Sequence, residues 1–481
     1  MKIWDKGGIT NYHFSPIYTF PGKGNANDYA YCALHDKKGD AYYVSYGPFA
    51  ALLPYFLFKV FFIPVGLSGL IGFNLIVHFL VSLFLYLLVL RIVNKRIDDF
   101  SLPALSVFIL YVFSPGTLWF HGNIYFSEIL AQLFLAAGIY VFYVMLEQRA
   151  QKASTVTWYG VMCFFGIYNE WLGLFFTVVT GGYLLVKSIK DRGFLKPFLV
   201  AVLAGVLSLT LLILQYSSIA GFDELLKVET MKLAERNGGA LVSGYEASAS
   251  YSFGSSQSYK LIEGYLNNNF LNVINTLAFL VPAFILLCLY RKKYFFTKKQ
   301  CIVIGNVVMV VALHHFAFIN FTASHDFSVL KTGYFLILLT GIIIHRLELL
   351  TENNKNLRLG YVALVLLFFA VKSYESIQHY NHVNNLNNVH EVYKLAGNDI
   401  KKLARPDKEI VFTNTVVSPN LIVYAECNAR FTLNRQDVRD MARIKQMTAS
   451  YFFVRNNRVV SITRYAPDGD SVRVEIQPVN Q

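Results

Sequence analysis

Apolar stretches of membrane-crossing length recur along most of this chain, and nothing else in it limits the possible folds so sharply. The approximate spans are 69–90, 103–120, 128–146, 157–187, 198–217, 271–290, 301–320, 329–346 and 358–374. Because 157–187 is long enough to hold more than one crossing, they amount to roughly ten segments, each near the ~20 residues that a helix needs to cross ~30 Å of hydrocarbon. With 55% hydrophobic and only 15% charged residues, the chain reads as a polytopic all-α membrane bundle, since no water-soluble fold needs that much apolar surface. From about Tyr374 onward the pattern becomes that of a water-soluble domain.

The formal charge of +13 raises nucleic acid as a partner, but the placement of the basic residues speaks against it. Arg91, Lys95 and Arg96, then Arg149 and Lys152, then Lys187, Lys190, Arg192 and Lys196 fall in alternate short connections. So do Arg291, Lys292, Lys293, Lys298 and Lys299, and finally Arg346, Lys355 and Arg358. This is the cytoplasmic bias of the positive-inside rule. The connections at 121–127, 218–270 and 321–328, and the tail after 374, are then expected to face outward.

Both flanks of 157–187, "TWYGVMCFFGIYNEWLGLFFTVVTGGYLLVK", are basic and inward, so an even number of crossings must lie within it. As one helix it would be about 46 Å long, too long for one span and short for two. The expected break is Asn169-Glu170-Trp171. Irregular backbone at membrane depth is tolerated only when buried in protein or lining a wet cavity, so Glu170 should face a cavity opening outward.

Three domains are expected: an outer segment 1–66, a transmembrane region 67–375 with an outer loop at 218–270, and an outer α/β domain 376–481. Within the first, "PFAALLPYFLFKVFFIP" (48–64) carries Pro54 and Lys59 at its centre. A central charge costs about 2.5 to 3.5 kcal/mol on insertion, so a helix lying at the outer interface is expected. The 218–270 loop contains "SGYEASASYSFGSSQSY", whose Ser, Gly and Tyr content reads as mobile. In the tail, a polar helix near 388–404, the strand "EIVFTN", a helix around "RQDVRDMARIKQMTA" and the strands "SYFFVRN", "VVSITRY" and "VRVEIQPV" indicate a small α/β domain. Cys32 and Cys427 are the only pair of cysteines on the outer side, and their spacing does not argue for a disulfide. No C-x-x-C, P-loop glycine pattern or H-E-x-x-H is present, which leaves nucleotide hydrolysis and zincin chemistry without a basis.

Polar residues able to do chemistry recur at the outward helix ends. His121, Asn123, Tyr125 and Glu128 stand at one mouth, Asn169 and Glu170 at the broken turn, and His325, Asp326 and Lys331 in "TASHDFSVLKTGYF" at another. At mid-depth there is little besides His78 and the His314-His315 pair, which sits nearer an outer end. Proton-driven transporters place carboxylates near the midplane. An enzyme acting on a lipid head group places them at one face. Each residue also has a plain structural role open to it. Glu128 suits a helix N-terminus capped by Ser127, Asp326 and Lys331 suit an interfacial ion pair, His121 suits a loop hydrogen bond, and Trp171 and Tyr125 suit an aromatic belt.

As an ordered set, three stretches resemble the GT-C glycosyltransferases, exemplified by protein O-mannosyltransferases and lipid A aminoarabinose transferases. "YYVSYGPFAALLPYFLFKVF" is similar to their Tyr/Pro-rich approach to an interfacial helix. "GNIYFSEILAQLFLAAGIY" is similar to their second outer loop with its acidic residue, and "FFGIYNEWLGLFFTVV" to their broken helical pair. The resemblance covers roughly 30–345. It implies sugar transfer from a polyprenyl-phosphate donor to a glycan, lipid or protein acceptor, with inversion, on the non-cytoplasmic face; the absence of a eukaryotic sorting signal and the spacing style suggest a bacterial inner membrane.

By that resemblance Glu128 matches the family's second acidic position, near metal or donor phosphate, and Lys331 lies where a cation would hold the lipid phosphate. The family's principal catalytic carboxylate normally lies shortly before a Gly-rich step like "DKGGI" (5–9), a point that here falls before Met1. Three expectations follow: a start upstream, substitution by Asp28, Asp36 or Asp40, or an inactive homologue.

The chemistry needs a carboxylate to take the acceptor proton, for which Asp28, Glu128 and Glu170 are the candidates. It also needs positive charge on the departing phosphate, for which Lys331, His325 and His121 are the candidates. Glu128 and Asp326 are candidate ligands for Mg2+ or Mn2+, which suit oxygen donors better than zinc does. The reading from another class is a lipid-linked saccharide transporter or flippase.

Overall fold

In the computed structural model of the protein, the described residues are 1–20, 33–123, 127–148, 150–237, 254–291, 296–351, parts of 356–378, and 389–476 apart from 407, 416–420 and 422–423. Fourteen helices precede residue 352 among them: α1 (Lys2–Gly7), α2 (Phe49–Val60), α3 (Leu67–Ile92), α4 (Leu102–Phe113), α5 (Pro115–Asn123), α6 (Ser127–Glu147), α7 (Ala153–Asn169), α8 (Trp171–Lys190), α9 (Leu195–Ala220), α10 (Phe222–Arg236), α11 (Ser256–Arg291), α12 (Lys298–Ala317), α13 (Ile319–Ser324) and α14 (Leu330–Thr351). Seven are long and apolar enough to cross a bilayer, or eight spans if the bent pair α4–α5 counts as one. The chain forms two compact units: Ser45–Gln215 with Glu229–Asn381, and Lys2–Val44 with Tyr216–Val228 and His382–Gln481.

Local chemistry decides where the helices of the first unit stop. The Ser101 side chain accepts from the Ala104 amide to start α4. Pro115 ends it, because a proline disfavours helical backbone in the residue before it and supplies no N–H. Ser114 is extended (φ −70°, ψ 136°), and the chain turns by 52° into α5. The expected single span over 103–120 is therefore a broken one.

The 157–187 stretch is two helices, as its length requires. Glu170, with extended backbone (φ −167°, ψ 156°), ends α7 and caps α8 by accepting from the Leu172 amide at 2.8 Å. The two helices touch through glycine: a Cβ on Gly173 would lie 2.0 Å from the Gly166 carbonyl carbon. Farther along, the expected span at 271–290 starts earlier, at Ser256, and kinks at Phe270 (φ −134°). Gly333 of α14 packs there, where a Cβ would meet the Phe270 ring.

Within 218–270, expected to be a mobile loop, α10 and the first turns of α11 are helical. Most of the low-complexity patch, 243–253, lies outside the described residues. The core of this unit runs through Val81, Leu85, Phe142, Tyr159, Phe176 and Ile337. In contrast, α9 exposes Leu199, Val202, Leu203, Val206, Leu207 and Leu214, as a lipid-facing helix does. At 12 residues α2 is about 18 Å long, too short to span, and the Phe61, Phe62 and Ile63 that follow it are exposed.

The second unit carries a small hairpin of β1 (Leu34–His35) and β2 (Ala41–Tyr42) and a five-stranded sheet, ordered β4 (Ala429–Phe431), β3 (Glu409–Thr413), β5 (Thr448–Arg455), β6 (Arg458–Tyr465) and β7 (Ser471–Glu475). β3 is parallel to both its neighbours, and β5, β6 and β7 form an antiparallel meander. β3 is buried along its whole length because helices cover both faces. Val411 packs with Ala396 and Ile400 of α15 (Val389–Leu403). Ile410 and Phe412 pack with Val438 and Ala442 of α16 (Arg435–Lys445). The tail elements fall where the alternation of the sequence puts them; the three-residue β4 is too short to leave such a pattern. Cys427 is a free, buried thiol, and Cys32 lies outside the described residues.

Candidate active site

Five long helices of the first unit turn at the same end of the bundle: α6, α8 and α14 begin there, and α7 and α12 finish there. Glu128 is in the first turn of α6 and Lys331 in the first turn of α14, and their side chains meet, Lys331 Nζ to Glu128 Oε2 at 3.4 Å. Both are buried, with 1% and 5% of their side chains exposed. Beside them, His314 Nε2 in the last turn of α12 lies 3.3 Å from Glu170 Oε1, with each side chain 1% exposed. Asn169 donates to the Ser127 carbonyl at 3.1 Å, tying the α7–α8 break to the start of α6. The Lys331 charge acts on Glu128, Glu170 and His314 alike, so these four residues form one electrostatic cluster.

Lys331 is in an unusual place. The positive end of a helix dipole disfavours a cation, and an ammonium has three hydrogens to donate. Here it makes one long contact, to a carboxylate whose other oxygen, Glu128 Oε1, has no partner among the described residues.

A second cation, Arg236, went unforeseen because it ends α10, inside the stretch expected to be a loop. Its charge acts on both Glu170 and His314. Its guanidinium packs 4.9 Å from the Tyr46 ring centroid, 5.2 Å from Phe318 and 5.6 Å from Phe321, and donates to the Ser45 carbonyl at 3.0 Å. The same carbonyl accepts from Trp171 Nε1 at 3.0 Å. The strap 45–47 therefore lies against the α7–α8 break, and only glycine fits there: a Cβ on Gly47 would sit 1.7 Å from the Tyr168 carbonyl oxygen. Trp171, expected as a belt residue, is part of this clamp. The amphipathic run "DELLKVETMKLAER" was the available sign of α10.

The remaining candidates separate from this cluster in different ways. His325 is at its edge, within electrostatic reach of Glu128, while its ring stacks on Phe321 at 4.4 Å and its Nδ1 bonds the Phe321 carbonyl. His121 instead pairs with His78, Nδ1 to Nδ1 at 3.1 Å. Asp326 is exposed. Asp28, Tyr125 and the side chain of Asn123 lie outside the described residues. The two other loop acids serve the second unit's fold. Asp36 accepts from the Lys38 and Asp40 amides in the turn of a small hairpin, and Asp40 accepts from Thr19.

The donor set for a divalent ion is thin. Among the described residues no three His, Cys, Asp or Glu side chains gather in a way that could hold a metal. Glu128 already faces an ammonium, and Asp326 is exposed. These residues do not fit a metal site, and no step below passes through one.

Comparison with solved structures shows the class of fold. The chain is similar to ArnT from Cupriavidus metallidurans bound to undecaprenyl phosphate, with a TM-score of 0.57, 11% identity, and 92% of this chain and 90% of that chain covered. It is similar to the apo form of the same protein, with a TM-score of 0.54, the same identity and the same coverage. ArnT is a GT-C lipid A aminoarabinose transferase. The fold of this chain is thus the GT-C type of multi-pass membrane protein, with a small C-terminal sheet domain. Neither a protein-family profile nor a curated protein matches the chain.

Proposed function

We propose that this protein is an integral membrane glycosyltransferase that moves a sugar from a polyprenyl-phosphate donor to a glycan, lipid or protein acceptor. The observation that carries the reading is Lys331. Its burial, its place at a helix N-terminus and its unfilled hydrogen-bonding capacity all favour an anion as its missing partner. Arg236 adds a second buried cation, a guanidinium with donors to spare beyond the Ser45 carbonyl. A lipid phosphate suits both. In the reaction its charge grows as the sugar leaves, so the same two cations stabilise the departing group more strongly than the bound one. Glu128 then acts as the carboxylate that holds Lys331 in position.

The side of the membrane follows from charge. Arg91, Lys187, Lys190, Lys298 and Lys299 gather at the end of the bundle opposite the cluster, so the positive-inside rule puts the cluster on the non-cytoplasmic face. In a bacterium that means the inner membrane, with the site toward the periplasm or exterior. The α2 helix, with its exposed aromatic residues, is read as lying at that interface.

Undecaprenyl phosphate binding to the purified protein tests the reading. Lys331→Ala should weaken it about tenfold to a hundredfold, the range for losing a hydrogen-bonded charge. In membranes, Glu128→Gln and Lys331→Ala should abolish transfer from a radiolabelled donor. Unchanged binding and transfer in both variants would remove these residues from the reaction. Movement of the lipid between leaflets without sugar transfer would make the protein a flippase.

A further inference from the structure

Transfer to a hydroxyl needs a group to take its proton, and two neighbouring histidines on α12 differ in whether they are free to do so. His315 is satisfied on both ring nitrogens, by Thr322 at 3.2 Å and Thr332 at 2.7 Å. His314 is satisfied on one. Its Nε2 faces Glu170 Oε1; with Glu170 ionised, the carboxylate only accepts and the hydrogen is on Nε2. Nδ1 is then a bare lone pair. It is buried and has no partner among the described residues.

The ring is also held still. Phe175 and Phe318 pack edge-on against it at 5.7 and 5.2 Å, and His315 at 6.2 Å. Glu170 is fixed in turn by the Leu172 amide on its other oxygen. A carboxylate that orients an imidazole and selects its tautomer, with the second nitrogen aimed away and unoccupied, is the arrangement by which a histidine becomes a general base.

Resting on the glycosyltransferase reading, we propose that His314 is the base that deprotonates the acceptor hydroxyl and that Glu170 positions it. The acceptor proton passes to His314 Nδ1, and the acceptor oxygen forms its bond to the anomeric carbon. The anomeric carbon–oxygen bond to phosphate breaks, and its electron pair leaves on the phosphate oxygen beside Lys331 and Arg236. Glu170 compensates the positive charge that His314 gains. The charged and titratable groups acting on His314 are Glu170 at the α7–α8 break, Lys331 on α14, Arg236 on α10 and His315 on its own helix. The acceptor that such a base serves is a hydroxyl compound.

The test uses the full-length protein in lipid nanodiscs. The probes are undecaprenyl phosphate for binding, and radiolabelled undecaprenyl-phosphate mannose and glucose, with a membrane extract as acceptor, for transfer. His314→Ala should bind undecaprenyl phosphate within about threefold of wild type and lose transfer by about a hundredfold or more, the scale of general-base catalysis. Added imidazole should restore part of that loss, which a merely structural role would not allow. Glu170→Gln keeps the α8 cap but offers His314 an amide hydrogen, favouring the wrong tautomer, and should lose transfer to a similar extent without imidazole rescue. Transfer by His314→Ala within threefold of wild type overturns the base alone, and so does a loss that imidazole does not restore. A wild type that binds the lipid but transfers no sugar from either donor overturns the enzymatic reading, and the base with it.

Discussion

The two ends of the helical bundle handle charge in opposite ways. At one end Arg91 and Lys299 both reach Glu147, at 3.4 and 3.6 Å, with about half of each cationic side chain in the open. At the other, Glu128, Lys331, Glu170 and His314 are almost wholly buried, and Glu128 Oε1 and His314 Nδ1 have no partner among the described residues. Exposed pairs of the first kind contribute little and serve to orient the chain in the membrane. Buried groups of the second kind cost desolvation that their few local contacts offset only in part. A fold keeps such a cluster where a ligand completes it, and this difference between the ends is what supports the proposed site.

The comparison is most exposed to failure at Lys331. Lys331→Ala leaves Glu128 buried and unpaired, and should lower stability by about 3 to 5 kcal/mol, read from unfolding in mild detergent. Combining Glu128→Gln with Lys331→Met should return most of that stability but no lipid binding. If the double variant binds undecaprenyl phosphate as wild type does, the two ends do not differ in kind.

Gly47→Ala comes next: the methyl group collides with the Tyr168 carbonyl and should destabilise by about 1 to 3 kcal/mol, while forcing the strap off the α7–α8 break. Trp171→Phe removes only the hydrogen bond to Ser45 and should cost about 1 kcal/mol. At the basic end, Arg91→Ala and Lys299→Ala should each change stability by less than about 1 kcal/mol, and added salt should shrink even that. A loss as large as that of Lys331→Ala would erase the contrast.

The second unit offers a control outside the bundle. Burial alone would raise the Glu426 carboxyl, but hydrogen bonds and charge from Lys401 and Lys6 outweigh it and hold it down to about 2, from an ordinary 4.5. A depressed acid stabilises the folded state above its unfolded value and loses that contribution as the pH falls through its folded one. The unit should therefore lose a small increment between about pH 4.5 and 2, smaller in Lys6→Ala. No such change is expected near neutrality.

Much of this was legible in the residues. Apolar length marked the spans, and the excess length of 157–187 marked a break that falls at Glu170. Glu128, Glu170 and Lys331 were visible as polar residues at helix ends. Their meeting was not, since Glu128 and Lys331 are 203 positions apart. Arg236 was missed because α10 is polar and short of the spanning length, and His314 because a histidine in an apolar helix looks like any core residue until its neighbours are known.

Periodicity and composition are local properties, so the sequence alone determined that this is a membrane bundle and that a small α/β domain follows. Only the tertiary structure decided which ring nitrogen is left bare, which carboxylate holds it and which cations stand beside it. Those depend on distances of a few ångströms between helices that no spacing along the chain encodes.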